Sequence, residues 1–556
     1  MQKHFDRKKC RMLCIQGTGK GKSLLYQTLA AHFVGVTVYI SPLLTLSADQ
    51  VGKLMARTHV LGSTIIPINL DAVSSNESMD NVIKLINNVK ECMSVVVFSS
   101  PQTLTNKFKG FIRSVKNKIS FVVVDELHMF NYFGSTFRKE FGDLQRRLFK
   151  AVSAFTPMLF LTASCNSRIK RSFEAMIGVA ITDIEWPDSL EIVNRRVSLY
   201  CQYSQKPMGK LTSQISSLLL SDEPEAGQDK VIVYSNIRKR LLVVQEKLED
   251  AFDNEERLHQ YEILSIHGQL TKEEKSAYIQ MFLNPVREED KGIKVMCATS
   301  GVGNVGVDSP HIRAVFRMDC PPSILDFVQE CGRAGRVQFQ QPLKYSYNVW
   351  FSLESFLYLY ERAMDPNNTN IDPTFSKDEV DGLFEVGRLL VLQDRCFYLA
   401  IENHLGNPSI VIDNTRQTPC RICPFCRNRD GNGNETPIVP PMHQAGTRQV
   451  IFHVFNPPPS NANVHREQKV WTVDVLVDAI RSFPNATELI LQSRMKGGIS
   501  PDQIKRILFC MLLKGMMQLN FHTVENRAVF SLTHSTNNVG EFALMEEHGW
   551  RGLRLK

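Results

Sequence analysis

No apolar run in the 556 residues approaches the roughly 20 that a membrane-spanning helix needs, and the first residues carry no signal-peptide pattern. Neither membrane insertion nor secretion is expected. The expected location is intracellular, in the nucleus for a eukaryotic source and in the cytoplasm or nucleoid for a bacterial one. A large charge of one sign is also missing. The 65 Lys and Arg against 57 Asp and Glu leave a net +8, which permits a polyanionic partner without demanding one. With no secretion signal, the 13 cysteines read as reduced thiols or metal ligands rather than a disulfide framework. The remaining composition, 43% hydrophobic and 22% charged, is that of an ordinary globular protein. Its length suggests about three or four domains.

What is present is organised around one stretch, Gln16-Gly17-Thr18-Gly19-Lys20-Gly21-Lys22-Ser23. It follows the apolar Met12 to Ile15 and precedes apolar residues at helical spacing from Leu24 to Ala31. Strand, glycine-rich turn and helix start together make a phosphate-binding loop. Gly17, Thr18, Gly19 and Gly21 offer backbone N–H groups to an anion, and the helix N-terminus adds its positive dipole end. Lys22 can reach the β- and γ-phosphates of a nucleoside triphosphate, and the Ser23 hydroxyl can ligate Mg²⁺. The strict pattern has glycine where Gln16 stands, so the loop is a variant.

Further apolar runs end in polar signatures: Val36 to Ile40 in Ser41-Pro42, Ser94 to Phe98 in Ser99-Ser100-Pro101, Phe121 to Val124 in Asp125-Glu126-Leu127-His128, and Met158 to Leu161 in Thr162-Ala163-Ser164. Such runs alternating with helical segments predict a parallel α/β sheet that binds ligands at the carboxyl ends of its strands. Asp125 can hold Mg²⁺ and Glu126 can polarise the water that attacks the γ-phosphate. A second α/β unit contains Val231 to Asn236, Ile293 to Asp308, Ala314 to Met318 and a helix leading into Gln329-Glu330-Cys331-Gly332-Arg333-Ala334-Gly335-Arg336. It has no phosphate-binding loop. It offers Arg333 and Arg336, the residue type that stabilises charge developing on a γ-phosphate.

Taken in order, QGTGKGKS, SPLLTLSADQV, SSPQTL, VVVDELH, TAS, VIVYSN, ATSGVGNVGVD and QECGRAGR resemble the RecQ family of superfamily 2 helicases over residues 12 to about 340. The resemblance implies two RecA-like lobes that clamp ATP. Lys22, Ser23, Asp125, Glu126 and His128 would come from the first lobe, and Gln329, Arg333 and Arg336 from the second. It also implies an aromatic-rich loop after DELH, in which Phe130, Tyr132, Phe133 and Arg138 contact DNA and couple it to hydrolysis. Aromatic faces there suit unpaired bases; Phe137 fits a lobe interface equally well. This chain departs from the family in having DELH for DEAH or DEVH. Its ATSGVGNVGVD segment is one residue longer than usual, around Asn304 and Val305. The adenine-reading glutamine expected some two dozen residues before Lys22 has no counterpart, so the chain reads as truncated at its N-terminus. Weak selection of ATP over GTP is the corresponding expectation.

Beyond the motor, Cys420, Cys423 and Cys426 form a tight trio suited to tetrahedral Zn²⁺. Cys396, in a helical stretch ending near Gly406, is the natural fourth ligand and matches the RecQ zinc-binding subdomain. His404 and His443 read as surface histidines. Residues 427 to 468 are rich in Gly, Asn and Pro and read as loops. A helix from Pro501 to Lys514, capped by Ser500 and stopped by Gly515, precedes a hairpin around Glu525-Asn526-Arg527. This outline resembles the winged helix that comes after the zinc module in the family.

The expected architecture is therefore two RecA-like parallel-sheet α/β lobes (1–200 and 201–350), a helical zinc-binding module (351–430), a linker (431–468), a winged helix (469–540) and a tail (541–556). The expected function is ATP-dependent 3′–5′ unwinding of DNA in repair and recombination, with ATP, Mg²⁺ and Zn²⁺. Its partners would be single-stranded and junction DNA and DNA-repair proteins. The rival is a catalytically degraded relative that binds nucleic acid without productive unwinding.

Overall fold

The computed structural model describes residues 10–528 apart from 18–20, 42–43, 58–64, 90–92, 128–142, 186–195, 221–228, 285–291, 300–306, 336–344, 366–372, 406–419, 430–446, 455–472, 492–497 and a few positions between. Among the described residues, seven parallel strands make the first sheet: β1 Arg11–Ile15, β2 Gly35–Ile40, β3 Ile65–Asn69, β4 Ser94–Ser99, β5 Ile119–Val124, β6 Met158–Thr162 and β7 Asp183–Glu185. Their order is β3-β4-β2-β5-β6-β1-β7. The inner strands β2, β4 and β5 are rich in β-branched residues and almost wholly buried, because both faces of the sheet are covered. Alternate side chains divide between two cores. Val38, Ile40, Val122 and Val124 enter one; Tyr39, Phe121 and Val123 enter the other.

The second sheet is β8 Val197–Tyr203, β9 Lys230–Ser235, β10 Tyr261–Ile266, β11 Gly292–Thr299, β12 Ile312–Arg317 and β13 Tyr345–Phe351, again parallel, in the order β10-β11-β9-β12-β13-β8. β8 straddles the expected boundary at 200/201 and belongs to this sheet through its full-length ladder with β13. Two parallel α/β sheets are thus the architecture, as the alternation of runs implies. Strands β3, β7, β8, β10 and β13 are additions to the sequence reading.

The helices Leu353–Met364 and Pro373–Leu392 pack with Pro501–Leu513, although the sequence reading assigns them to different domains. The rings of Phe356 and Phe509 lie 4.9 Å apart. Gly387 permits this closeness: a Cβ there would stand 2.7 Å from Leu513 Cδ2 and 3.0 Å from Phe356 Cε2. Ser500 caps the last helix by accepting from Gln503 N–H, and Gly515 ends it at φ +69°. The hairpin is described as two short antiparallel strands, β14 Thr523–Val524 and β15 Arg527–Ala528. The helices Val473–Ser482 and Ala486–Leu491 also fall within the expected winged helix, whose residues 529–540 lie outside the described residues. Residues 427–429, expected in loops, close the helix Pro424–Arg429.

Candidate active site

The loop after β1 turns into the helix Lys22–His32 at Gly21. Gly21 sits at φ +89° with open space where a Cβ would be, so the left-handed backbone rather than crowding calls for glycine. Lys22 Nζ donates to the Gln16 carbonyl at 2.9 Å and the Gly17 carbonyl at 3.3 Å. Gln16 N–H reaches the Thr162 carbonyl at the end of β6, which ties the loop to Thr162-Ala163. Ser23 occupies the first turn of the helix. Thr18 and Gly19 lie outside the described residues.

Asp125 comes directly after β5, its N–H bonded to the Ile40 carbonyl at 2.9 Å. The carboxylate is buried, 7% exposed. Its Oδ1 accepts from the Glu126 N–H at 2.8 Å, and its Oδ2 accepts from the Tyr39 hydroxyl. Burial, reinforced by the Glu126 charge, pushes its pKa up to about 7; the Tyr39 hydrogen bond and the Lys22 charge pull the other way. Lys22 and Asp125 therefore meet electrostatically although β6 separates their strands. A buried carboxylate at the carboxyl end of this sheet, with the hydroxyl-bearing helix start at the carboxyl end of β1 in the same sheet, offers hard-oxygen donors of the kind that suit Mg²⁺. Glu126 sits at φ +50°, a left-handed conformation costing about 1–2 kcal/mol for a non-glycine residue. Such strain at a functional strand end is common. His128, Phe130, Tyr132, Phe133, Phe137 and Arg138 lie outside the described residues.

One contributor to this edge has no motif. Asp71 accepts from both the N–H and the hydroxyl of Ser100, at 3.0 and 2.9 Å, and so fixes the SSPQTL turn.

In the second sheet, β9 ends at Ser235-Asn236 and β12 at Arg317-Met318-Asp319-Cys320. Here a buried network escaped the sequence reading. Arg317 and Glu330 are both 0% exposed and pair at 2.6 Å. Tyr347 hydroxyl donates to the other Glu330 oxygen at 2.7 Å. Arg317 Nε meets Asp319 Oδ1 at 2.9 Å, while Asp319 Oδ2 accepts from the Ser235 hydroxyl at 2.6 Å and the Asn236 N–H at 2.8 Å. Glu330 belongs to the helix Ile324–Cys331, which also carries the half-buried Gln329. Arg333 comes two residues after that helix, its N–H on the Glu330 carbonyl and its Nη1 on the Val307 carbonyl at 2.9 Å. Arg336, Asn304 and Val305 lie outside the described residues.

The four cysteines do come together. The Sγ atoms of Cys396, Cys420, Cys423 and Cys426 all lie within 4.8 Å of one another, and those of Cys396 and Cys423 are 4.0 Å apart. A tetrahedron with bonds of about 2.3 Å has edges of about 3.8 Å, so the set fits Zn²⁺. Cys396 is the N-cap of the helix Phe397–His404 rather than inside it. Hydrogen bonding with Cys420 and Cys423 draws the Cys396 thiol below its usual value. The module docks on edge strand β8. Leu199 N–H bonds the Ile422 carbonyl at 2.9 Å, Arg427 Nη2 bonds the Leu199 carbonyl at 2.6 Å, and the Arg427 guanidinium lies 4.4 Å from the Tyr200 ring centre. His404 is not the surface residue expected. Its side chain is 17% exposed, pairs with Glu385 at 2.8 Å and lies 3.5 Å from Asn166 Nδ2 of the first lobe. His443 lies outside the described residues.

Residues 3–172 match the DEAD/DEAH box helicase family, and residues 211–338 match the helicase conserved C-terminal domain. The chain is 25% identical over 455 residues to the ATP-dependent DNA helicase RecQ of Pasteurella multocida, covering 80% of this chain and 62% of that protein. It is 28% identical over 524 residues to a putative ATP-dependent DNA helicase Q1 of Caenorhabditis elegans, covering 91% of this chain and 71% of that protein. The chain thus spans about three fifths of the length of its bacterial relative. It overlays on Mycobacterium smegmatis helicase Lhr with a TM-score of 0.45 and 16% identity, over 72% of this chain and 52% of that one, which adds nothing to what the two sheets show.

Proposed function

The chain belongs to the superfamily 2 helicases, and from that premise we propose that it is an ATP-dependent DNA helicase of RecQ type. In this reading it moves 3′ to 5′ on single-stranded DNA and opens junctions during repair and recombination. The observation that carries the motor reading is the buried Asp125 carboxylate held within the field of Lys22 at the carboxyl end of one sheet, with only β6 between their strands.

Lys22 exchanges its bonds to the Gln16 and Gly17 carbonyls for phosphate oxygens. The backbone of Gly17, Thr18, Gly19 and Gly21 cradles the phosphates. The Ser23 hydroxyl and the Asp125 carboxylate hold Mg²⁺, which when bound neutralises charge on the β- and γ-phosphates. Glu126 orients the attacking water and takes its proton, and His128 accompanies it in DELH. From the second lobe Gln329, Arg333 and Arg336 complete the pocket, the arginines stabilising the charge that develops in transfer. The four cysteines hold Zn²⁺ as a structural ion. Phe130, Tyr132, Phe133 and Arg138 receive the single strand.

The test is ATP hydrolysis with and without single-stranded DNA, alongside displacement of duplexes carrying a 3′ or a 5′ tail. Stimulated hydrolysis and opening of the 3′-tailed duplex alone are expected. DNA binding without hydrolysis would overturn the proposal in favour of a degraded, binding-only relative.

A further inference from the structure

Tyr39 stands in β2 within a run that is otherwise β-branched, Val36-Thr37-Val38-Tyr39-Ile40. It is fully buried. Its ring centre lies 4.6 Å from that of Tyr26 and 5.0 Å from that of Phe98. Phenylalanine would fill the same space without a polar atom to satisfy. A hydroxyl buried without a partner costs about 1–3 kcal/mol, so its presence here is tied to the acceptor it has found. That acceptor is Asp125 Oδ2.

With the Glu126 N–H on Oδ1 at 2.8 Å, both carboxylate oxygens are held by neutral donors. Two such donors fix the orientation of the group and leave its charge available to a cation. The same tyrosine also touches the other magnesium ligand's helix. Tyr26 lies one turn beyond Ser23 on the helix Lys22–His32, packs its ring at a tilt against Tyr39, and donates its own hydroxyl to Gln50 Oε1 at 2.8 Å. The ring of Tyr39 sets the helix of Ser23, while its hydroxyl sets Asp125.

We propose that Tyr39 is a positioning residue for magnesium: its hydroxyl holds the Asp125 carboxylate in one orientation, so that Mg²⁺ meets a preformed ligand. The inference rests on the reading that Asp125 and Ser23 hold Mg²⁺. Partners that orient metal ligands are typically worth 10- to 100-fold in metal affinity.

The test is a Mg²⁺ titration of the full chain with a fluorescent, non-hydrolysable ATP analogue. Tyr39→Phe keeps the packed ring and removes only the hydroxyl. The Mg²⁺ concentration at half-effect should rise about tenfold or more, while analogue affinity in EDTA stays within about twofold of wild type. In an Asp125→Asn background, Tyr39→Phe should change nothing further, because the hydroxyl acts through that carboxylate. An unchanged Mg²⁺ midpoint for Tyr39→Phe, or an additive loss in the double variant, overturns the inference. Should Tyr39→Phe fail to fold, 4-fluorophenylalanine at position 39 keeps the ring's bulk and removes the donor, and an unmoved midpoint is then the refuting result. Wild-type analogue binding indifferent to Mg²⁺ would instead sink the magnesium assignment itself.

Discussion

Two carboxylates lie buried at the business ends of the two sheets, and burial pushes each up to about 7, but their surroundings are opposite. Asp125 in the first lobe is held by a tyrosine hydroxyl and a backbone N–H, with Lys22 acting on it. Glu330 in the second lobe is paired with a guanidinium that is as buried as itself. A neutral cage keeps a charge waiting for a partner that arrives from outside. An internal ion pair neutralises the charge within the protein and leaves a rigid support for the turn that carries Arg333. The first arrangement suits a lobe that receives a cation. The second suits one that presents arginines.

The Cys396, Cys420, Cys423 and Cys426 cluster takes the first arrangement to its extreme, since four crowded thiols are stable as thiolates only around a metal. The largest effect is expected here. Cys423→Ser should lose the zinc expected at about one per chain, and with it the packing of the module that Cys396, Cys420, Cys423 and Cys426 join. Structural zinc sites are worth roughly 10 kcal/mol or more in apparent folding energy. Elemental analysis and limited proteolysis check it. Wild-type protein free of zinc after careful purification would remove the cluster from the comparison.

Next in size is the ion pair. Arg317→Ala leaves Glu330 and Asp319 buried without their cation, and breaking such a pair typically costs about 3–5 kcal/mol. Denaturant unfolding followed by a probe in the second lobe should show it. Asp125→Asn, by contrast, removes an uncompensated charge and should leave stability equal or slightly higher. If both substitutions destabilised alike, the two carboxylates would not be differently housed at all.

On the catalytic side, Lys22→Ala and Arg336→Ala should each lower DNA-stimulated turnover by on the order of 10²-fold, about 2.7 kcal/mol. Steady-state kinetics with and without DNA separates them. Full turnover in Arg336→Ala would show that the second lobe supports without taking part.

These housings also mark which features were readable in the chain. The phosphate loop, the Asp125-Glu126 pair and the Cys trio were legible because their chemistry sits in short runs with fixed spacing. β-Branched runs such as Ser94 to Phe98 were legible as buried strands for the same local reason. Arg317 was not, because an arginine inside an apolar strand becomes meaningful only when a helix 13 residues later brings Glu330 to 2.6 Å. Tyr39 was hidden likewise, 86 residues from its acceptor. β8 was hidden because its membership of the second sheet depends on pairing with β13, far along the chain. His404 looked like a surface residue until Glu385 and Asn166 came to it from a different helix and a different lobe.

The smallest effect concerns pH and isolates the neutral cage. Asp125 has a folded-state pKa raised from 3.8 to about 7, chiefly by burial. Between these values the folded protein binds a proton at this position that the unfolded chain does not. Stability therefore falls as pH rises through the window, the reverse of the usual salt-bridged aspartate, whose depressed pKa makes stability fall as pH drops. Without nucleotide or Mg²⁺, the contribution of this one group should shrink by about 2 kcal/mol between pH 5 and pH 7. Glu330 is raised in the same direction, so the measurement is a difference: wild type minus Asp125→Asn, by denaturant unfolding at pH 5, 6 and 7. The asparagine does not titrate, and the slope should vanish from its share. Adding Mg²⁺ with a non-hydrolysable ATP analogue should flatten the wild-type slope as well, because a bound cation holds the carboxylate ionised at all three pH values. A difference that stays constant with pH would mean that the Asp125 carboxylate does not titrate in this window, and the neutral cage would lose its defining property.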